Sequence, residues 1–324
     1  LCASLCCSVF ITTADELISL FNSATGDTLQ TDIELRDHLE FSHVLFTGPL
    51  GVSDDGKCVA FSGVFHGNGL SISGITMGLG WFRHAGLFCS LKNATIENLV
   101  IDSSCSFNGD DAGALSASVS GPLTVKHTTN NAAISGQYRV GGFIGYVEDL
   151  EQPTVISFED CVNNGNVSGS DNYAGGFVGS VSRNTDITMA ISNSVNNGNI
   201  IGNDIAGGFV GGILGNMNMT FSNSINSGKV IGNDGYVGGF IGDIYSLCSD
   251  SITLGITNSA SKGTVSSKQG MACGFVCVDP ECNSNVKTTI KNSINKGVVN
   301  AGTNGCGITN IITEARNVVS MGDV

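Results

Sequence analysis

Adjacent aspartates occur twice in this chain, at Asp54-Asp55 and at Asp110-Asp111. Glycosidic hydrolysis needs two carboxyl groups at a set separation. Adjacent residues in a turn point their side chains apart, and both pairs lie beside Gly, so turn chemistry explains them better than catalysis. A lyase would need a basic group near acidic calcium ligands, but Lys229, Lys262 and Lys296 fall at variable turn positions. The five histidines, at 38, 43, 66, 84 and 127, are scattered through the first half, and no nucleophile elbow supports a Ser-His-Asp triad. No catalytic residue is assigned, and the chain reads as a non-enzyme.

Asp171, Asp204 and Asp234 recur just before successive glycine-rich segments and could line one edge. Stacked carboxylates can bind calcium, but Asn-Asp and Ser-Asp steps also make Asx-turns, so no cofactor is expected and calcium is the weaker alternative. N-glycosylation triplets at Asn93, Asn166 and Asn218 are candidates if the chain is secreted by a eukaryote. Asn, Ser and Thr are so common here that three triplets are no excess. Asn218, in "NMNMT", is placed in a variable loop.

The elements that carry these residues are built on one recurring segment: "NSINSGKVIGNDGYVGGFIG" at 223–242 has near-copies from Asn193 and Cys161. The first residue of each GGFxG segment, or its replacement, falls at Gly141, Gly175, Gly207, Gly238, Cys273 and Cys306, a period of about 33 residues. Each unit holds short apolar, strand-like pieces punctuated by Asn-Gly and Asn-Asp steps, with no helical periodicity. This describes one rung of a right-handed parallel β-helix. Equivalent residues then stack at the strand spacing of about 4.8 Å. Phe143, Phe177, Phe209, Phe240 and Phe275 form one core ladder, and Ile134, Val167, Ile200, Val230, Val265 and Val298 another. Gly165, Gly198, Gly228, Gly263 and Gly297 share a corner, where Gly tolerates positive φ. In "VGGFIG", Phe and the next Ile or Val both read as apolar, from a bend that buries both or from an exposed stripe available for lateral association.

Stacking also pairs cysteines. Twelve are present, which suits an oxidising compartment, and none has zinc-site spacing. Cys273–Cys306 and Cys248–Cys282 fall on neighbouring coils at a distance compatible with disulfides. Cys2, Cys6 and Cys7 would staple the N-terminus.

Residues 1–26 read as a cap with a helix over 13–24: Thr13 and Glu16 form a capping box, Leu17, Leu20 and Phe21 share a face, and Gly26 ends it. Residues 27–127 read as degenerate first coils, with Ala85-Gly86-Leu87-Phe88-Cys89 and Ala112-Gly113-Ala114-Leu115 aligned to 141–145. Residues 128–324 are the regular repeats. The first ten residues, "LCASLCCSVF", read as the border of a removed secretory signal or as an arbitrary edge. Val324 falls mid-coil, which suggests a longer chain continuing past it or self-association there.

Charged residues are 13% of the chain, against about 25% in ordinary domains. The net charge of −14 opposes nucleic acid as a partner. No run of 18 apolar residues exists to make a transmembrane segment. Hydrophobic residues at 41% are enough for a core, and 45 glycines with four prolines suit tight turns between strands.

"FSGVFHGNGLSISGI", "AGLFCSLKNATIENLVI" and "YVGGFIG" resemble the GLUG-motif repeat proteins over residues 27–324. Gly63 to Gly69 match the opening phrase of that family, with His66 in place of Asp. Its GLFG segment appears as Gly86-Leu87-Phe88-Cys89. The resemblance implies a β-helix in a secreted or cell-surface protein and brings no shared catalytic residues. Together these readings favour an extracellular structural protein, a stalk, surface layer or fibre. The alternative is an adhesin that binds through variable loops such as 146–156 and 244–252, and a carbohydrate-active enzyme ranks third.

Overall fold

The computed structural model describes residues 8–43, 48–52, 57–78, 83–148, 152–182, 186–245, 250–279 and 285–322. Cys2, Cys6, Cys7, Asp54, Asp55, Cys248, Cys282 and Val324 lie outside them. The chain is a parallel β-solenoid with one helix among the described residues. Four sheets run along its length, of 11, 8, 10 and 14 strands, and every pairing between named strands is parallel. One regular coil runs Thr154–Glu159, Val162–Asn163, Val167–Gly169, Tyr173–Gly175, then Val178–Val181. Each piece pairs with its equivalents in the coils on either side.

The expected phenylalanine ladder is present. Ring centroids of Phe143, Phe177, Phe209 and Phe240 are spaced 4.9 Å apart, and Phe240 to Phe275 is 5.0 Å. All five are fully buried. Each buried side chain contributes about 1.5–3 kcal/mol, so this column is a leading source of cohesion. The second ladder runs Ile134, Val167, Ile200, Val230 and Val265, but it ends on Val299 rather than Val298. Val298 is 38% exposed. The reason is register: the inward residue stands two places after the corner glycine, and Gly297 sets it at 299.

The GGF bend buries both apolar residues, Phe143 at 0% and Ile144 at 1% exposure. No exposed stripe arises there. Elsewhere Ile201 and Ile231 are exposed neighbours, but Ser168 and Ser266 flank them in the same column. Glycine is needed at this bend for close approach: a Cβ on Gly179 would sit 2.5 Å from the Gly145 carbonyl oxygen and 2.6 Å from the Val140 nitrogen.

The corner glycines do not carry positive φ. That conformation falls instead on Asn193, Asn223, Asn258, Asn292 and Asn317, at φ of 50–52°. Asn tolerates it better than other residues with a side chain. Their amides form an outer ladder: Nδ2 of Asn223 donates to Oδ1 of Asn193 at 3.0 Å, Asn258 to Asn223 at 3.3 Å, Asn292 to Asn258 at 3.3 Å and Asn317 to Asn292 at 2.9 Å. The next residue builds a hydroxyl ladder, with the backbone N–H groups of Cys161, Ser194, Ser224 and Ser259 donating to the Oγ of Ser194, Ser224, Ser259 and Ser293. Two residues further on, the fully buried Asn130, Asn163 and Asn196 each donate Nδ2 to the Oδ1 of the next asparagine at 2.8 Å, ending on Asn226, which accepts from Asn196 and donates to the Gly228 carbonyl. The phrase "NSVN" is therefore three polar ladders around one apolar position.

At the N-terminus, Val9–Ile11 pairs with Ile33–Leu35 as the first strand of the 11-stranded sheet. Helix α1, Ala14–Asn22, follows with the Thr13/Glu16 capping box formed. It buries Ala14, Leu17 and Phe21, while Leu20 is only half-buried. The Phe21 ring lies 6.1 Å from Phe61 and 5.7 Å from Phe88, so the helix packs on the first part of the core.

Candidate binding groove

The backbone contacts at Gly145 and Gly179 fold each strand after the GGF bend against the strand before it. Outward side chains of the two strands then face each other along a groove parallel to the solenoid axis. One wall is the register column His84, Asp111, Arg139, Tyr173 and Ile205. The other is Ser90, Ser118, Tyr146, Ser180, Gly212 and Asp243.

Asp111 anchors the groove. It stands within the strand Ser106–Ala112, not in a turn as the sequence suggested, and is 3% exposed. It accepts from Arg139 Nε at 2.6 Å and from Arg139 Nη2 at 2.5 Å, and His84 Nδ1 lies 3.7 Å away. A buried carboxylate with a two-point guanidinium partner is a strong, geometrically fixed pair. The Arg139 guanidinium also lies 3.9 Å from the centroid of the Tyr146 ring, a cation–π contact. Asp110 points elsewhere, 3.4 Å from Arg83. Beside this pair a trough of about 400 Å³ is lined by Tyr138, Tyr146, Tyr173, Asn172, Ser180 and Ser182. Tyr173 fills the space left by the missing side chain of Gly212. Ser180 is fully buried, and its hydroxyl has no hydrogen-bond partner. A second trough of about 300 Å³, with His84, Ser90, Lys92, Ser118 and Glu148, continues toward the N-terminus.

Asp243 closes the other end. Burial first, and then the charge of Asp279, push its carboxyl up to about 7. Asp111 and Asp243 both line the groove, but four rungs separate their coils, about 19 Å at the strand spacing. The two carboxyls of a glycosidase stand roughly 5–9.5 Å apart, so these two do not form such a pair.

The other candidate residues are placed as follows. The Asp204 N–H donates to the Asp171 carbonyl and the Asp234 N–H to that of Asn203, which puts the three acids on successive rungs, and burial, then the charges of Asp171 and Asp234, raise the Asp204 carboxyl. Among the described residues no group of three or more His, Cys, Asp or Glu could hold a metal ion. Asn93, Asn166 and Asn218 are all exposed. Asn218 lies in the strand Met217–Ser222, paired with Thr188 and Thr253, rather than in a loop.

Cys273 and Cys306 face each other in register, yet both are free thiols, with Cys277 as a third sulfur beside Cys273. In-register parallel neighbours project their Cβ atoms the same way and hold them about 4.8 Å apart. A disulfide needs about 3.5–4.5 Å. The disulfide that does form is Cys58–Cys89, with Cα atoms 5.7 Å apart. Leu91 pairs with Phe61, which puts Cys58 one residue off register and lets it approach diagonally.

The groove was missed in the sequence, although a signal exists. Asp111 and Arg139 are one coil apart, as are Lys126 and Glu159 at 3.3 Å. Opposite charges separated by the repeat period mark ion pairs across a rung.

No protein-family model matches the chain. A search of curated proteins finds halomucin of Haloquadratum walsbyi (strain DSM 16790 / HBSQ001), 28% identical over 151 residues. That match spans 40% of this chain and 2% of the length of halomucin. Among solved structures, a chain described as a "putative immunoglobulin A1 protease" from Bacteroides ovatus matches with a TM-score of 0.48 at 13% identity, over 96% of this chain and 74% of that one. At that score and identity the likeness carries no argument about activity.

Proposed function

We propose that the protein is an extracellular structural element, a rigid rod serving as a stalk, surface layer or fibre component. The observation that carries this reading is the continuous phenylalanine ladder through five successive coils, flanked by the amide ladder from Asn130 to Asn226. Eleven stacked strands give a rod about 48 Å long. The Cys58–Cys89 bond suits an oxidising compartment. No helix among the described residues is long and apolar enough to cross a membrane. Partial similarity to a protein with a mucin's name agrees with an extracellular role, and the GLUG-like phrases point the same way. Electron microscopy of the native material tests the reading: ordered fibres or layers with a regular subunit repeat support it. Isolated particles within the cell would overturn it. The second reading, an adhesin, is favoured by the groove, whose tyrosines and orphan hydroxyl a pure spacer does not need.

A further inference from the structure

We propose that the trough between Arg139 and Ser180 binds a neutral oligosaccharide lying along the solenoid axis. This deepens the adhesin reading and does not depend on whether the rods assemble.

Four features select this class of ligand. Three tyrosines, Tyr138, Tyr146 and Tyr173, line one trough, all half-buried. A tyrosine ring offers a flat apolar face with a polar tip. A pyranose is complementary, with C–H groups on its faces and hydroxyls around its rim. The Ser180 hydroxyl is fully buried at this site and without a partner, while Asn172 and Ser182 supply further polar groups. A buried hydroxyl without a partner is unfavourable, and a ligand hydroxyl would supply the missing hydrogen bond. The trough, at about 400 Å³, falls within the range of small-molecule sites.

Charge sets the sign. The Asp111 carboxylate already neutralises the Arg139 guanidinium through two hydrogen bonds. The chain as a whole carries −14, which repels polyanions. A neutral saccharide avoids both penalties. Shape sets the direction: the walls repeat once per coil, so successive sugar units can meet equivalent positions on successive rungs. A peptide added as an extra strand is disfavoured, because Ala133–Gly141, Tyr173–Gly175, Ile144–Val147 and Val178–Val181 are each paired on both sides.

The two columns assign roles. The Asp111–Arg139 pair holds Tyr146 in place through the cation–π contact, so Asp111 and Arg139 are positioning residues. Tyr146 and Tyr173 provide the stacking surfaces. Ser180 provides the hydrogen bond at the floor.

Isothermal titration of the whole chain with cello-, chito-, manno- and xylohexaose, and with hexagalacturonate as the anionic control, tests this. At least one neutral hexasaccharide is expected to bind, and hexagalacturonate to bind at least tenfold more weakly. Tyr146→Ala and Tyr173→Ala are each expected to weaken binding tenfold or more. Ser180→Ala should weaken it several-fold without lowering the melting temperature, because the hydroxyl has no partner in the free protein. That combination separates a ligand contact from a structural one. Should an alanine variant fail to fold, Tyr146→Leu and Tyr173→Leu, which keep apolar bulk but lose the flat ring, and Ser180→Ala carry the test, each expected to weaken binding. No binding of any neutral probe at millimolar concentration would overturn the proposal. So would binding unchanged in these variants, or stronger binding of hexagalacturonate. None of these results bears on fibre or layer formation, which microscopy reads separately.

Discussion

Asn163 donates its side-chain amide to the Oδ1 of Asn196, 2.8 Å away and one coil further along, with both side chains fully buried. Asn196 repeats the gesture toward Asn226 and also donates to the Gly198 carbonyl. A buried amide is tolerable only when its polar atoms are met, and here each rung satisfies the next.

Asn196→Ala should therefore leave its neighbours on both sides short of a partner. We expect a loss of about 2–3 kcal/mol, read by urea denaturation. The ladder has a natural gap at Ser261, which pairs in register with Asn226 and Asn295 and whose hydroxyl has no partner. Ser261→Asn should complete the ladder and raise stability by about 1 kcal/mol. A decrease would show that the amide column is tolerated rather than stabilising.

The GGF bend depends on the absence of a side chain. Gly179→Ala places a methyl against backbone atoms of both neighbouring walls, which cannot move as a flexible side chain would. It should cost at least 3 kcal/mol or prevent folding, as overpacking at its upper end does. Gly255→Ala is the control: its nearest neighbour is the Thr220 Cγ2 at 3.7 Å, so stability should stay within about 0.5 kcal/mol of the parent. Circular dichroism melts of the two variants make the comparison.

Cys58–Cys89 closes a loop of 31 residues. The chain-entropy account gives roughly 3–4 kcal/mol for a loop of that size. Cys58→Ser/Cys89→Ser should lower the urea midpoint accordingly. Non-reducing peptide mapping should find those two cysteines linked. Cys105 and Cys161 are buried, with thiols pushed up to about 11 and 12 chiefly by that burial, and should alkylate only after unfolding.

Asp243 gives the fold a pH dependence. Its folded pKa of about 7 lies above the usual carboxyl value near 4, so the folded state holds this proton more tightly. The stability it contributes is fully present below about pH 4 and is lost as pH rises through 7, at roughly 1.4 kcal/mol per unit within that window. Asp243→Asn should flatten this fall and raise the melting temperature at pH 8, with little change at pH 4. An unchanged profile would mean that the carboxyl is not held neutral.

The repeat alone determined the solenoid, the spacing of its coils and the membership of the phenylalanine column. In a parallel stack the chain must solve the same core problem every 33 residues or so, and it solves it with the same residues. The capping box at Thr13 and Glu16 was equally legible, because capping is local. Register in detail was not, since the Val298 position needed its two-residue offset from Gly297 to be read correctly. The cysteine pairing also turned on geometry: in-register residues project in parallel and leave Cys273 and Cys306 as thiols, whereas Cys58 meets Cys89 from one residue off. The groove was decided by tertiary structure. Asp111 looks like a turn residue beside Asp110 until the GGF bend folds one wall onto the next. Only then do Arg139, Tyr146, Tyr173 and Ser180, drawn from two coils and two sheets, face a common space.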